Sequence, residues 1–167
     1  MLEIDLELGN TSKSFVVLAR RSWKLFVMLA WAAWWGGLSF YALVVVPIGS
    51  EVIGSVEQGF ITQRVTQWHN ALSVLFIVCV LIEAFHRRSR ALWLIGITLA
   101  VIDLGLITWH IRLTNLMDFQ QQTVPGRFYE EHAVYLWITA AEWVLGIATP
   151  IWLFLSDNKA APISEHK

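Results

Sequence analysis

The chain has 167 residues, of which 56% are hydrophobic and 15% charged, with ten Trp, nine Phe and a formal net charge of −1. A soluble domain of this length cannot hide so much apolar surface, and the near-neutral charge leaves no basic field for binding nucleic acid. The single cysteine, Cys79, excludes an internal disulfide and a multi-cysteine metal site.

Residues 1–23 read as a cytoplasmic N-terminal arm. Its opening, MLEIDLELGN, alternates Leu2, Ile4, Leu6 and Leu8 with Glu3, Asp5 and Glu7. That period of two fits a short strand or docking arm, or else a frayed acidic tail. It is not the basic-then-apolar pattern of a secretory signal peptide. The first span is expected at residues 24–47, KLFVMLAWAAWWGGLSFYALVVVP, ended by Pro47. The second has an apolar core only at residues 71–85, preceded by FITQRVTQWHN, which predicts a longer helix over 58–86 that emerges into the interface. Residues 91–114 and 132–155 make the third and fourth, Pro150 lying near the end of the last. Each approaches the roughly 20 apolar residues that a bilayer requires. The tail, residues 156–167, is polar, and His166 within it carries no signal.

Basic residues set the expected orientation. Lys13, Arg20, Arg21, Lys24, Arg87, Arg88, Arg90, Lys159 and Lys167 would share one side, against Arg64, Arg112 and Arg127 on the other. The fold class predicted is therefore an all-α polytopic membrane protein. It is an antiparallel four-helix transmembrane bundle with both termini cytoplasmic, set in a bacterial inner membrane. Its surroundings would be the lipid bilayer and other membrane subunits or further copies of itself.

Two longer loops, 48–67 and 115–131, would face outward. The first has Gly49, Gly54 and Gly59 and an amphipathic second half. In the second, Val124-Pro125-Gly126-Arg127 suits a type II turn. Both could cover the outer end of the bundle. Arg112 and Arg127 there are expected to make surface pairs with Glu51, Glu57, Asp118, Glu130 or Glu131, or to hold an anionic group.

Polar residues then acquire a depth, at about 1.5 Å per residue. His69, His110 and His132 fall in one outer layer on three different helices. A single histidine at a membrane edge ordinarily anchors the interface, as Trp or Tyr does; the coincidence of three marks a candidate cofactor or metal site. Asp103 and Glu142 lie deeper, each about ten residues in from the outer end of its span. A charged group at that depth costs several kcal/mol, so both should face the bundle interior, as paired groups, in protonated form or as interhelical hydrogen-bonding groups that fix packing. Asp103 and His110 are seven residues apart, close to two turns, and share a face. His132, Tyr135, Thr139 and Glu142, spaced by three, four and three, extend that stripe on the last span. His69, Ser73 and Glu83 are on one side of the second, Ser39 and Tyr41 on the first. Glu83 is expected to pair with arginine of the FHRRSR turn, where His86 meets headgroups.

This constellation suits three chemistries. Three imidazoles fit a copper or zinc ion, with a carboxylate orienting a ring. Two facing histidines fit a b-type haem, His69 with His110 or His132 as the axial pair. Proton exchange between the acids Asp103 and Glu142 and the histidines fits a proton- or quinone-linked protein. A metal- or haem-binding, redox-associated membrane protein is the leading expectation. A non-catalytic accessory subunit of a larger membrane complex is the alternative, and the proton- or quinone-linked reading follows it. The stretch WWGGLSFYALVVVPIG, with Gly36-Gly37 and Pro47, is similar to the opening helix of copper-resistance D-type membrane proteins over residues 31–47. That resemblance implies a periplasm-facing copper role and assigns no ligand in this chain.

Overall fold

The structure, a computed structural model, describes residues 2–158 and the side chains of residues 15–153. The helices are α1 (Leu2–Phe40), a π-helical turn (Tyr41–Val45), α2 (Val46–Ile53), α3 (Ser55–Arg87), α4 (Arg90–Leu116) and α5 (Arg127–Asn158). α1, the π turn and α2 run on as one rod, so the rods number four, and each contains a stretch long and apolar enough to cross a membrane. α1 packs on α3, α3 on α4, α4 on α5, and α5 closes back on α1 along the thinnest seam. The product is a four-helix bundle. Its outer surface is apolar where lipid would lie: Trp68, Trp137 and Leu43 are each more than 70% exposed.

The backbone is helical from Leu2, which removes the strand reading of the alternating N-terminus. The side chains of residues 1–14, the end of the polar tail and His166 lie outside the described residues. A larger departure concerns Pro47, which does not end the first span. In the wide turn before it, the Val46 N–H reaches back five residues to the Tyr41 carbonyl. Pro47 then stands at the start of α2, where its missing N–H is not required. A polar knot ties this turn to α3: Gln58 Nε2 donates to the Tyr41 hydroxyl at 3.2 Å, and that hydroxyl lies 3.1 Å from Thr62 Oγ1.

The expected loop at 48–67 is consequently helix on both sides of a single corner, Gly54, whose φ of +100° suits only glycine. At the opposite end of the bundle, the FHRRSR turn is equally tight. Arg88 adopts the left-handed conformation, the Ser89 N–H closes on the Ala84 carbonyl at 3.2 Å, and Ser89 Oγ caps α4 by accepting from the Leu92 N–H. Only residues 117–126 form a real loop. Asp118 and Thr123 exchange backbone hydrogen bonds across it, and Asp118 Oδ1 accepts from the N–H groups of Gln120 and Gln121. The type II turn expected at 124–127 is not formed, because Gly126 lacks a positive φ. Pro125 and Gly126 instead accept the first N–H groups of α5, from Phe128 and Tyr129.

Apolar packing centres on Trp34, Phe76, Ile77, Val80 and Leu99, with a second cluster of Val27, Ala30 and Cys79 toward the arginine turn. Cys79 is thus a core thiol. The α1–α5 seam is closed by indoles. Trp31 Nε1 donates to the Gly146 carbonyl and Trp35 Nε1 to the Trp143 carbonyl, each at 3.0 Å, while Trp143 Nε1 donates to Ser39 Oγ at 2.8 Å. Gly146 has no substitute here, since a Cβ would stand 2.5 Å from Cζ3 of Trp34.

Candidate functional site

The buried face of α4 is Leu92, Gly96, Leu99, Asp103, Leu106, His110 and Leu113, a run of alternating fours and threes. Helical periodicity therefore turns Asp103 and His110 inward together, as their spacing predicts. α3 turns Ser73 inward by the same rule, and α5 turns Glu142 inward. Asp103 and Glu142 retain 4% and 2% of their surface, so both carboxyls are cut off from solvent.

Two of these helices, α3 and α5, are joined at one hydroxyl. Ser73 Oγ donates to Glu142 Oε1 at 3.2 Å, and the Asp103 carboxyl of α4 faces the same bundle interior. The two acids are near enough for their charges to interact, and both act on Tyr135, two turns nearer the loop end of α5 than Glu142. Asp103 and Glu142, expected to share a depth, both face the bundle interior, and Ser73 is bonded to Glu142. A hydroxyl both donates and accepts, so it can join two carboxyls whichever of them carries the proton.

Toward the loop end, Tyr135 lies between two imidazoles. Its ring centroid is 6.5 Å from that of His110 and 6.4 Å from that of His132. His132 is stacked on its other side against Phe128, at 5.5 Å. His69 stands apart on α3, stacked at 6.4 Å on the fully buried Trp34 of α1. The structure accordingly links His110 and His132 through Tyr135 and puts His69 against a different helix. Among the described residues, no group of three or more His, Cys, Asp or Glu side chains is arranged to hold a metal ion. The three histidines share a layer without gathering as a three-ligand centre.

Three atoms in this region are out of balance, among them Nε1 of Trp34. Nε2 of His69 and Nε2 of His110 are buried and have no hydrogen-bond partner. Leaving a buried polar atom unpaired costs about 1–3 kcal/mol, which packing alone gives no reason to bear.

Other expectations resolve as structural contacts. Glu83 pairs with Arg87 one turn on and accepts from Trp23 Nε1 at 2.8 Å. His86 is exposed beside Phe85. Ser39 and Tyr41, candidates on the first span, are engaged with Trp143 and with Gln58 rather than with the acids. At the loop end Arg112 forms a forked pair with Glu131, Nη2 to Oε1 at 2.8 Å and Nε to Oε2 at 2.7 Å, and its guanidinium lies over the Trp109 ring.

Sequence reasoning passed over Trp34, whose indole backs His69, and the carboxamides of α3. Gln63, Gln67 and Asn70 recur at intervals of four and three, a helical stripe available in the sequence, where the stretch was read only as an amphipathic start of the second span. The chain matches no family model, no curated protein and no solved structure.

Proposed function

We propose that the protein handles protons within a membrane, with Asp103, Glu142 and Ser73 as the exchange site and Tyr135, His110 and His132 as its approach from the loop end. The observation that carries this reading is the burial of two inward-facing carboxyls, Asp103 of α4 and Glu142 of α5, the second hydrogen-bonded to the Ser73 hydroxyl of α3. Ionisable side chains inside membrane spans are costly and recur along proton and ion pathways. Acids whose charges interact are coupled, so a proton gained by one alters the other, and the Ser73 hydroxyl on Glu142 is the transfer route proposed. The unpartnered imidazole nitrogen of His110 supplies a further proton-accepting atom on the same face of α4.

The loop end is inferred to face outward and both termini the cytoplasm. Supporting this, Lys24 of α1 lies with Arg87 around one small pocket, so the basic ends of different helices share a side. The setting proposed is a bacterial inner membrane.

The test is proton flux. In liposomes containing the purified protein and an internal pH dye, an imposed membrane potential should acidify or alkalinise the lumen. Asp103→Asn, Glu142→Gln and Ser73→Ala should each lower that flux by about tenfold or more, in variants that elute as folded protein. Wild-type flux in all three, or no flux from the wild type above that of empty liposomes, refutes the proposal.

A second reading, a b-type haem or a copper or zinc ion bound by imidazoles, draws support from the unpartnered Nε2 atoms of His69 and His110. The likeness of residues 31–47 to copper-resistance D-type proteins favours copper within it. A Soret band, or stoichiometric metal in the purified protein, lost in His69→Ala or His110→Ala, would select this reading. Neither, together with co-purification of a larger assembly, would select the accessory-subunit alternative.

A further inference from the structure

A cleft of about 520 Å³ runs between α3 and α4 at the loop end. Gln63, Gln67 and Asn70 line it from α3, and His110, Thr114 and Asn115 from α4. Toward the bundle middle its wall turns aliphatic, at Val74 and Ile107. Its volume falls in the range of small-molecule sites, about 300–1,000 Å³, and its position on the outer surface of two spans opens it sideways to lipid. Three properties define what it would take.

First, no charged side chain lines it. A phosphate head would find no cation and an ammonium head no carboxylate, so the occupant is neutral. Second, its polar groups are carboxamides, an imidazole and a hydroxyl, several already engaged with one another. Gln63 Nε2 donates to Thr114 Oγ1 at 3.4 Å, and Thr114 Oγ1 donates to the His110 carbonyl at 2.9 Å. Gln67, Asn70 and Asn115 remain to offer N–H donors to a ligand. Third, His110 belongs to the cleft wall and to the proton column at once, being 6.5 Å from Tyr135 between ring centroids. A ligand here would adjoin groups that take or give protons.

We propose that this cleft binds a neutral, carbonyl-bearing lipid of the quinone class. The carboxamides of Gln67, Asn70 and Asn115 bind its carbonyl oxygens, and its tail leaves past Val74 and Ile107. The choice of quinone over other neutral lipids rests on the proton reading above, whereas the site itself rests on the cleft. A neutral sugar head, or a second copy packing its own carboxamide stripe here, would meet the same hydrogen-bonding groups without any use for His110.

The experiment is equilibrium binding of radiolabelled decyl-ubiquinone to the protein in lipid nanodiscs. Saturable binding at one site per chain is expected. Gln67→Leu and Asn70→Leu, substitutions at home on a lipid-facing helix, should each weaken it by about tenfold. Linear uptake without saturation, or unchanged affinity in both variants, overturns the proposal. So does equal displacement by a monoglucosyl diacylglycerol, or disulfide-linked dimers formed in high yield by Asn70→Cys. Asp103→Asn separates the two proposals: it should abolish proton flux and retain quinone binding. Retained binding in a wild type that moves no protons would remove the proton reading and leave a quinone-binding site.

Discussion

Gly146→Ala adds one methyl group to a place that has no space for it. The new Cβ would stand 2.5 Å from Cζ3 and 2.6 Å from Cη2 of Trp34, and 3.3 Å from Cδ1 of Trp35. Trp34 is fully buried and stacked at 4.9 Å on Phe76, so it cannot swing away. The helices must separate, stretching the Trp31 bond to the Gly146 carbonyl. Overpacking of this kind costs about 1–3 kcal/mol, against the roughly 0.5–1 kcal/mol that alanine would gain in an unobstructed helix. Gly36→Ala, whose Cβ meets nothing within 4 Å, isolates that second term. Trp34→Phe deletes the two offending ring atoms and alone should cost about 1–3 kcal/mol through the space it leaves. The double variant lets the methyl occupy that space. Unfolding midpoints in detergent, followed by circular dichroism, should give a double variant more stable than the sum of the singles by about 1 kcal/mol or more. Strict additivity, or a Gly146→Ala protein as stable as Gly36→Ala, would refute the close α1–α5 seam.

Gly54→Ala forces a side chain into φ +100°, ψ 151°, a region reserved to glycine, and should destabilise by about 1–3 kcal/mol in the same assay. The Glu57 carboxylate near that corner is flexible enough to move aside, so the backbone term should persist in Gly54→Ala with Glu57→Gln. Arg112→Ala, by contrast, removes an exposed fork whose arginine side chain is 61% accessible and should cost less than about 1 kcal/mol. A larger loss would mean that the Arg112–Glu131 pair holds the loop end closed.

The spans were legible because hydropathy is a property of one dimension: the helices over 58–86, 91–114 and 132–155 each recur within a few residues of their expected ends. The shared inward face of Asp103 and His110, and the pairing of Glu83 with Arg87, were legible for the same reason, since i+7 and i+4 are fixed by the helix itself. What failed depends on the third dimension. Pro47 reads as a stop unless the turn before it widens, and nothing in YALVVVP announces a π turn. Residues 48–67 look like a loop because glycines are frequent there, yet one of them, Gly54, makes the entire corner. Pro125-Gly126 fits a type II turn equally well as a helix entry, and the helix won by engaging both carbonyls. Periodicity places each histidine on an inward face but says nothing of the angle between helices. His69 therefore faced Trp34 while His110 and His132 met Tyr135.

The distribution of polar contacts also explains how this bundle closes. In lipid, burying an apolar side chain gains little, because the solvent is apolar too; association rests on close packing and on hydrogen bonds between helices. Ser73 and Glu142 supply such a bond between α3 and α5, and Gln63 and Thr114 one between α3 and α4, while α1 contributes nothing to that group. α1 is held instead by indole N–H groups reaching carbonyls on α5, and by the Tyr41–Gln58–Thr62 knot on α3. The tryptophans of the WAAWW stretch are therefore more than an interfacial belt. Trp31 and Trp35 fasten the fourth helix from its edge, and Trp34 fills the centre. Because these fastenings are separate from the acids, losing them should loosen α1 without dissolving the meeting of the other three helices. The carboxyl pair can thus be altered, as in Asp103→Asn, with α1 still in place. That independence is what makes proton flux in such a variant interpretable as chemistry rather than as unfolding.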